Sequence, residues 1–124
     1  LCFGKSRLYV AESLELELPA GGIENGEDLI RAGQRELREE TGYFVEYLKH
    51  IHSFNPSNGM STQLAHVLTG ELVSTHRSNF DSDEVAEVVW FRREQVYQLL
   101  QDKEFKDGFT LISLLFYLNP ELMK

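Results

Sequence analysis

Glu36, Glu39 and Glu40 lie close together in the sequence, at spacings that a helix would turn into a cluster. Glu36 and Glu40 form an i,i+4 pair and Glu36 and Glu39 an i,i+3 pair, so both pairs lie on neighbouring helical turns. Like charges at these spacings weaken a helix by roughly a few tenths of a kcal/mol, and partial burial increases the effect. The carboxylates are therefore either solvated or paired with arginines, or they bind divalent cations, which prefer several oxygen ligands.

A helix that would hold these glutamates is predicted over residues 27–41. Asn25 is a suitable N-cap, with Asp28 three residues later, placed as in a capping box. Gly42 supplies the left-handed residue that commonly ends a helix.

One side of this predicted helix is apolar, and the glutamates lie along its rim. On a wheel of roughly 100° per residue, the arc expected to meet the core contains Leu29, Ile30, Gly33 and Leu37. Glu40 falls inside that arc, Glu36 at its edge and Glu39 outside it. A mid-helix glycine costs about 1 kcal/mol relative to alanine, so we expect another backbone to pack closely against Gly33. The arginines available for pairing are Arg31, Arg35 and Arg38.

The rest of the chain mixes strands with helices. Residues 14–18 read Leu-Glu-Leu-Glu-Leu, the period of a half-exposed strand, and residues 19–22 form a loop after it. Further strands are predicted near 45–54, 62–72 and 87–91, and helices near 93–101 and 108–118. This order predicts an α/β sandwich, and the length of 124 residues predicts one domain over 1–124.

Composition limits the partners and the setting of the protein. A net charge of −8 repels the phosphate backbone of nucleic acids, although carboxylates that hold cations can create a local positive site for a small anion. No apolar run approaches the roughly 18 residues of a membrane span. Cys2 is the only cysteine, so no internal disulfide or cysteine zinc site is expected. We therefore expect a cytoplasmic protein without membrane or nucleic-acid partners.

Histidines and a second group of acidic residues complete the inventory of reactive side chains. The histidines lack the spacing of a metal site on one helix and are interpreted as ordinary residues; they are His50, His52, His66 and His76. Residues 81–84 form an acidic loop, Asp-Ser-Asp-Glu, which needs no function to exist.

The region around the glutamates contains a known motif. Residues 21–43 read GGIENGEDLIRAGQRELREETGY. This resembles the Nudix box: a glycine, five residues, a glutamate, seven residues, Arg-Glu-apolar-any-Glu-Glu-any-Gly and a bulky apolar residue. The positions that match are Gly21, Glu27, Arg35, Glu36, Leu37, Glu39, Glu40 and Gly42. Tyr43 stands where an aliphatic residue is usual. A motif with this many fixed positions is specific, and the resemblance implies a Nudix-type α/β/α sandwich with a mixed β-sheet.

The resemblance implies a metal-dependent enzyme, a Nudix pyrophosphohydrolase. Glu36, Glu39 and Glu40 would be ligands of Mg²⁺ or Mn²⁺, and the backbone carbonyl of Ala20 would also face a metal. Glu40 would thereby act directly in catalysis.

Other motif positions are implied to support this centre. Arg35 would contribute to catalysis by orienting the glutamates through ion pairs, because a planar guanidinium suits two carboxylates at once. Glu27 would support the helix and its loop. Gly21 and Gly42 would permit the tight backbone at the two ends.

Beyond the motif, the chain is similar to ADP-ribose pyrophosphatases and related nucleotide-sugar hydrolases. The similarity covers residues 17–21, 84–91 and 105–110. It implies hydrolysis of the diphosphate linkage in ADP-ribose or a related nucleoside-diphosphate sugar, with Arg7 and Glu17 near the substrate. From the residues alone, Arg7 is equally a surface arginine.

The acidic loop supplies the candidate for proton transfer. A water that attacks a diphosphate needs a carboxylate to accept its proton, and Glu84 is the candidate for this base or for an additional metal ligand. The similar branch usually has another glutamate two residues earlier, where this chain has Ser82. The branch also has a Ser-Pro-Gly turn, whereas here Asn58 precedes Gly59 and the nearest proline is Pro56.

Alternative functions and the assembly state stay open at this point. One alternative is a Nudix hydrolase for nucleoside triphosphates or dinucleoside polyphosphates, and another is a Nudix-fold domain that binds a nucleotide or a protein without turnover. The intact motif favours an enzyme. The N-terminal segment that builds the dimer and the adenosine pocket in the similar branch is expected to be largely absent. The full-length protein is expected to be a homodimer, from the resemblance and from exposed strand edges.

Overall fold

In the described residues, six strands form one sheet and three helices pack on it. The structure, a computed structural model, describes residues 2–3, 7–12, 16–72 and 87–123. The strands are β1 (Cys2–Phe3), β2 (Arg7–Glu12), β3 (Leu16–Glu17), β4 (Val45–Phe54), β5 (Ala65–Leu72) and β6 (Glu87–Arg92). The helices are α1 (Leu29–Thr41), α2 (Arg93–Gln101) and α3 (Gly108–Leu118), and a short 3-10 helix (Pro120–Met123) follows them.

The sheet is mixed because one of its pairings is parallel. β1 runs parallel to β5, with Cys2 opposite Thr69, whereas β1–β2, β2–β3, β2–β6 and β4–β5 are antiparallel. β6 pairs along the whole of β2, and β1 and β3 pair with its two ends. The mixed sheet that the motif implied is therefore confirmed.

Neighbouring residues of β6 belong to two separate core clusters. Trp90 packs against the cluster of Leu37 and Leu68 beneath α1. Phe91 packs against the cluster that contains Val96 of α2 and Leu114 of α3. Because successive side chains of a strand point to opposite faces of a sheet, α1 covers one face and α2 with α3 covers the other. The predicted α/β/α sandwich is confirmed.

The start of α1 differs from the prediction. Asp28 is the N-cap, since its carboxylate accepts a hydrogen bond from the Arg31 backbone N–H at 3.3 Å and the helix begins at Leu29. The backbone N–H of Glu27 donates to the carbonyl of Glu24 at 3.0 Å, so this segment forms a turn outside the helix. The prediction that Asn25 caps a helix beginning near residue 27 was therefore wrong.

The end of α1 and its mid-helix glycine have separate explanations. Gly42 has a φ of 79° and donates from its N–H to the Arg38 carbonyl, which ends the helix as predicted. A Cβ built on Gly33 would lie 2.5 Å from Cδ1 of Leu68 and 3.1 Å from Cδ1 of Leu48. The close neighbours of Gly33 are thus leucine side chains, and the expectation of a backbone neighbour was wrong.

Most predicted boundaries agree with the observed ones, and β5 is the main exception. β4, α2 and α3 have the predicted limits, and β6 extends one residue further than predicted. β5 begins at Ala65, whereas the prediction began at 62. Ser61 Oγ accepts from the Gln63 N–H at 3.0 Å and Asn55 Nδ2 donates to the Gln63 carbonyl at 3.3 Å, so side chains occupy backbone groups that a strand would need. β1 and β2 had no sequence prediction, and part of the predicted strand 14–18 lies outside the described residues.

The most apolar helix, α3, packs on the sheet by one side. Leu114 and Leu118 are buried in the core, whereas Leu115 is 50% exposed. With 11 residues, α3 has roughly half of the about 20 that a membrane-spanning helix needs. Within the described ranges, no helix is long and apolar enough to cross a membrane.

Candidate active site

Arg35 on α1 connects three glutamates and a loop carbonyl. Its Nε donates to Glu27 Oε2 at 2.7 Å and its Nη2 to Glu27 Oε1 at 2.9 Å. Its Nη1 donates to Glu36 Oε1 at 2.8 Å and to Glu39 Oε2 at 3.1 Å. Nη2 also donates to the Gly22 carbonyl at 2.9 Å. One planar guanidinium therefore ties the loop before α1 to two of the clustered glutamates.

These contacts keep the central ion pair charged. Hydrogen bonds from Arg35, together with one from the Glu24 backbone N–H, lower the pKa of Glu27 to about 2. The bonds to Glu27 and then to Glu36 raise the pKa of Arg35 further above its ordinary value. Arg35 and Glu27 therefore stay ionised at neutral pH, which keeps their geometry fixed. Water reaches both groups and screens the pair, so its contribution to stability is modest.

Glu36 lies against the loop before α1, so a side chain at position 21 would force the Glu36 carboxyl group to move. A Cβ built on Gly21 would overlap the carboxyl group of Glu36, whereas a Cβ on Gly22 would meet no atom within 4 Å. The described glycines with positive φ are Gly26 and Gly42, so Gly21 is not needed for a left-handed backbone. Gly21 instead allows a close approach between the loop and a helix carboxylate.

Glu40 is partly withdrawn from water. Burial, and next the charge of Glu36, raise the pKa of Glu40 to about 7, and Glu39 adds a smaller effect in the same direction. A hydrogen bond from the Ala20 backbone N–H opposes this rise. The structure therefore brings Glu40, Glu36 and Ala20 together. The role of the Ala20 carbonyl as a metal ligand stays a prediction.

The donor chemistry of the cluster fits a hard divalent cation. Glu36, Glu39 and Glu40 offer only carboxylate oxygens, which Mg²⁺ and Mn²⁺ prefer. In the part of the chain that the structure describes, no three acidic, histidine or cysteine side chains are arranged as a ready metal site, and Arg35 binds two of the three glutamates. A cation would relieve the repulsion between Glu36 and Glu40, and it would have to compete with Arg35 for the other contacts.

A cleft of about 630 Å³ opens beside the glutamates. It lies between the loop 17–23, the first residues of β5, and the N-terminal parts of α1 and α3, and both Glu17 and Glu36 line it. β1 pairs with β5 only at Thr69 and Gly70, so within the described residues no strand covers this side of residues 65–68. A space of this volume is sufficient for a ligand of nucleotide size.

A buried threonine joins the two walls of the cleft. Thr110 Oγ1 accepts from the Leu18 backbone N–H at 3.1 Å and donates to Asp107 Oδ2 at 2.9 Å. The same carboxylate oxygen accepts from the Thr110 backbone N–H at 2.9 Å and caps α3. Sequence reasoning missed this connection. The Asp-x-x-Thr pattern at the start of a predicted helix indicates the cap, but not its link to Leu18.

Comparison with known proteins identifies the family. The NUDIX domain model matches residues 5–111 of the 124-residue chain. The chain belongs to the Nudix family. The Arg35 network, the Glu36–Glu40 pair and the Gly21 contact are thus the structural form of its Nudix motif, and the predicted membership is confirmed.

Similar proteins extend the likeness beyond the motif. The ADP-ribose pyrophosphatase of Bacillus subtilis (strain 168) is 34% identical over 101 residues, 80% of this chain and 55% of that protein. The ADP-ribose pyrophosphatase of Escherichia coli (strain K12) is 32% identical over 103 residues, 80% of this chain and 49% of that protein. A methanol dehydrogenase activator of Bacillus methanolicus is 30% identical over 111 residues, 88% of this chain and 60% of that protein. The chain spans about half the length of the curated relatives it matches. The predicted resemblance to the ADP-ribose pyrophosphatase branch is confirmed.

The predicted residues outside the Nudix motif are only partly located. Glu17 lines the cleft. The backbone of Arg7 lies in β2 opposite Arg92 of β6, and its side chain is outside what the structure describes. Glu84 and Ser82 also lie outside the described residues.

One cleft residue was interpreted as ordinary from the sequence. His66 lines the cleft and its ring is hydrogen-bonded to Ser53. Neither its spacing nor its neighbours in the sequence distinguish it from the other histidines, since the cleft forms only when β5 lies beside the loop 17–23.

Proposed function

We propose that this Nudix chain is a pyrophosphohydrolase that cleaves the diphosphate linkage of ADP-ribose or a related nucleoside-diphosphate sugar. With ADP-ribose the products would be AMP and ribose 5-phosphate. The observation that carries the proposal is the like-charged pair Glu36 and Glu40 beside the Gly21 loop, at a cleft of about 630 Å³. Similarity to proteins named ADP-ribose pyrophosphatase supports the substrate class.

A divalent cation belongs to this proposal. Nudix hydrolases generally use divalent metal ions, and Mg²⁺ or Mn²⁺ fits an oxygen-only donor set. Glu36, Glu39 and Glu40, with the Ala20 carbonyl, would hold it. When bound, such a cation supplies neutralisation of phosphoryl charge and a more acidic water.

Positioning, proton transfer and substrate binding would be carried out by side chains of the protein. Arg35 is a positioning residue, because its Nη1 holds Glu36 and Glu39 at 2.8 and 3.1 Å. Glu84 would accept a proton from the attacking water. The water oxygen would bond to one phosphorus while the bond from that phosphorus to the bridging oxygen breaks. Arg7 and Glu17 would contact the substrate, and Glu17 already lines the cleft.

A substrate screen tests the proposal. Purified protein with Mg²⁺ is incubated with ADP-ribose, several sugar nucleotides, nucleoside triphosphates and dinucleoside polyphosphates. Phosphate is measured after coupling to a phosphatase that cannot attack an internal diphosphate, with product chromatography for the triphosphates. We expect the highest kcat/KM with ADP-ribose or a sugar nucleotide, and loss of turnover in EDTA.

Other results would assign a different function. A preference for triphosphates or dinucleoside polyphosphates would replace the substrate class while keeping the enzyme. Tight binding of ADP-ribose without turnover, with any metal, would make the chain a binding domain and contradict the proposal.

We also propose that the full-length protein is a homodimer working in the cytoplasm on a small nucleotide, without nucleic-acid partners. In the described sheet, β4 pairs only with β5, and its Tyr47 is 80% exposed beside Phe44 at 46%. An open strand edge with exposed aromatic side chains favours pairing between chains. Light scattering of the full-length protein at micromolar concentration should give twice the monomer mass, and a monomer would contradict this.

A further inference from the structure

Two histidines and a serine form a hydrogen-bonded chain that ends in the cleft. His50 Nε2 lies 2.7 Å from Ser53 Oγ, and Ser53 Oγ lies 2.7 Å from His66 Nδ1. The two imidazole rings also meet edge to face, with centroids 5.3 Å apart. His66 lines the cleft, whereas Ser53 and the exposed His50 do not, so the hydrogen-bonded chain connects an exposed residue of β4 to the ligand space.

An irregularity in β4 makes this alignment possible. Ser53 lies directly opposite His66 in the β4–β5 ladder, so both side chains are on one face. In a regular strand, residues 50 and 53 would point to opposite faces. The register shift between His50 and His52 inserts one extra residue, and a bulge of this kind restores His50 to the face of Ser53.

The described lining of the cleft carries more acidic than basic side chains. Its described lining includes the acidic residues Glu17, Glu36 and Asp107 and contains neither lysine nor arginine. His66 is the one basic side chain in that lining. A diphosphate substrate brings further negative charge, and its oxygens need hydrogen-bond donors wherever a cation does not reach them.

The hydrogen-bond chain determines which donor His66 can offer. The Ser53 hydroxyl has one hydrogen, so it donates to one ring and accepts from the other. If it donates to His66 Nδ1, a neutral His66 ring carries its hydrogen on Nε2 and is a donor there. Nε2 has no hydrogen-bond partner among the described residues. A phosphate in the cleft offers only hydrogen-bond acceptors. It therefore favours the arrangement in which Ser53 donates to His66 Nδ1 and His66 Nε2 carries the hydrogen.

We propose that His66 binds the substrate by donating a hydrogen bond from Nε2 to a phosphate oxygen of the diphosphate. Ser53 and His50 are positioning residues that fix the ring and its tautomer. This inference rests on the proposed function and adds a protein donor that the Nudix motif does not contain.

Steady-state kinetics with ADP-ribose test the role of His66. A contact made equally in the ground and transition states affects KM and leaves kcat unchanged. We expect His66→Ala to raise KM about tenfold, the effect of a hydrogen bond to a charged group, and to change kcat less than about twofold. His66→Gln, which keeps an N–H donor, should recover part of the loss. A fall in kcat at constant KM would overturn the assignment.

His52 provides the matched control. It lies on β4 opposite Val67, the residue next to His66 in β5, but it stacks on Phe116 with centroids 3.9 Å apart and does not line the cleft. His52→Ala should leave KM unchanged. An equal rise of KM in both variants would show a general effect of losing a β4–β5 imidazole and would overturn the inference.

The positioning role is tested at Ser53. Ser53→Ala should raise KM about threefold, less than the loss of His66 itself because the donor remains and only its orientation is freed. Ser53→Thr keeps the hydroxyl and should restore KM. Nitrogen NMR of the wild-type imidazoles should show hydrogen on His66 Nε2 in the ADP-ribose complex. Hydrogen on Nδ1 alone would overturn the proposal.

Equilibrium binding of ADP-ribose in EDTA separates this inference from the proposed function. No turnover is possible there if the function needs a cation, yet His66→Ala should still bind about tenfold more weakly than His52→Ala. If the wild type shows no turnover with any metal but His66→Ala still binds ADP-ribose more weakly than His52→Ala, the proposed function fails and the His66 contact stands. If turnover is normal and the two variants bind equally, the contact fails alone. Absence of wild-type binding up to millimolar ADP-ribose would also overturn it.

Discussion

The two faces of the sheet differ in the chemical character of the side chains that pack against them. Beneath α2 and α3, the core around Leu18 and Leu114 is apolar apart from the buried, uncharged Thr110. Beneath α1, the core around Leu37 and Leu68 borders the charged network of the Nudix motif. There Glu40 lies partly out of water, and its pKa is raised to about 7.

This difference implies that one face contributes mainly to stability and the other mainly to activity. A fold selected only for stability would place a neutral side chain at position 40, since an ionised carboxylate loses hydration there and repels Glu36. Side chains that lower stability in this way are concentrated at functional sites. The α3 face should therefore be sensitive in stability, and the α1 face in activity.

The largest expected effect is on the α1 face. Glu40→Gln should lower kcat for ADP-ribose by about 1000-fold, as expected when a charge-stabilising group is lost from a reacting centre. Without metal at pH 8, the variant should melt at a higher temperature than the wild type, because an ionised carboxylate with a raised pKa destabilises the fold. Glu104→Gln, an exposed loop change, is the control. Near-normal turnover of Glu40→Gln would contradict the expectation that substitutions on the α1 face affect activity.

The opposite result is expected on the α3 face. Leu114 is fully buried, and Leu114→Ala should reduce the free energy of unfolding by about 2–5 kcal/mol in urea titrations. The folded variant should keep the KM of the wild type. Leu115→Ala, at a neighbouring position that is 50% exposed, should change stability by less than about 0.5 kcal/mol. Equal losses at both positions would show that the core does not lie where this structure has it.

A smaller effect is expected where the loop meets α1. Gly21→Ala places a methyl group on the Glu36 carboxyl, whereas Gly22→Ala points into open space. The resulting displacement of a reacting group by about 1 Å should lower kcat/KM by about 10- to 100-fold in Gly21→Ala only. Circular dichroism should show that both variants are folded. Equal activity of the two variants would disprove the close contact.

The smallest expected effect is a pH dependence of stability at Glu27. Because contact with Arg35 lowers the pKa of Glu27 from 4.5 to about 2, its stabilising contribution is present above pH 4.5 and is lost as pH falls towards 2. The melting temperatures of the wild type and Glu27→Gln should therefore converge as the pH decreases through this window. Glu24→Gln removes only a contact of 3.9 Å to Arg35 and should show a much smaller difference. A difference between wild type and Glu27→Gln that stays constant down to pH 2 would contradict the assignment.

Local patterns were sufficient for much of the fold. The limits of β4, α2 and α3 agree with predictions made from apolar periodicity and turn residues. The capping residue of α1 was misassigned because Asn25 and Asp28 are both good N-caps, and the turn in which the Glu27 N–H donates to the Glu24 carbonyl lies outside the helix. β5 was predicted too long because side-chain bonds to Gln63 were not visible in the pattern.

The sequence by itself determined the Nudix motif and the helix that carries it, since a helix fixes the neighbours of each residue within one or two turns. Tertiary structure decided how the cleft is lined. His66 of β5 and the loop 17–23 line it together, although they are distant in the sequence. His50 reaches Ser53 only because a bulge shifts β4 by one residue. Strand register and sheet edges depend on partners distant in the sequence, so no local pattern specifies them.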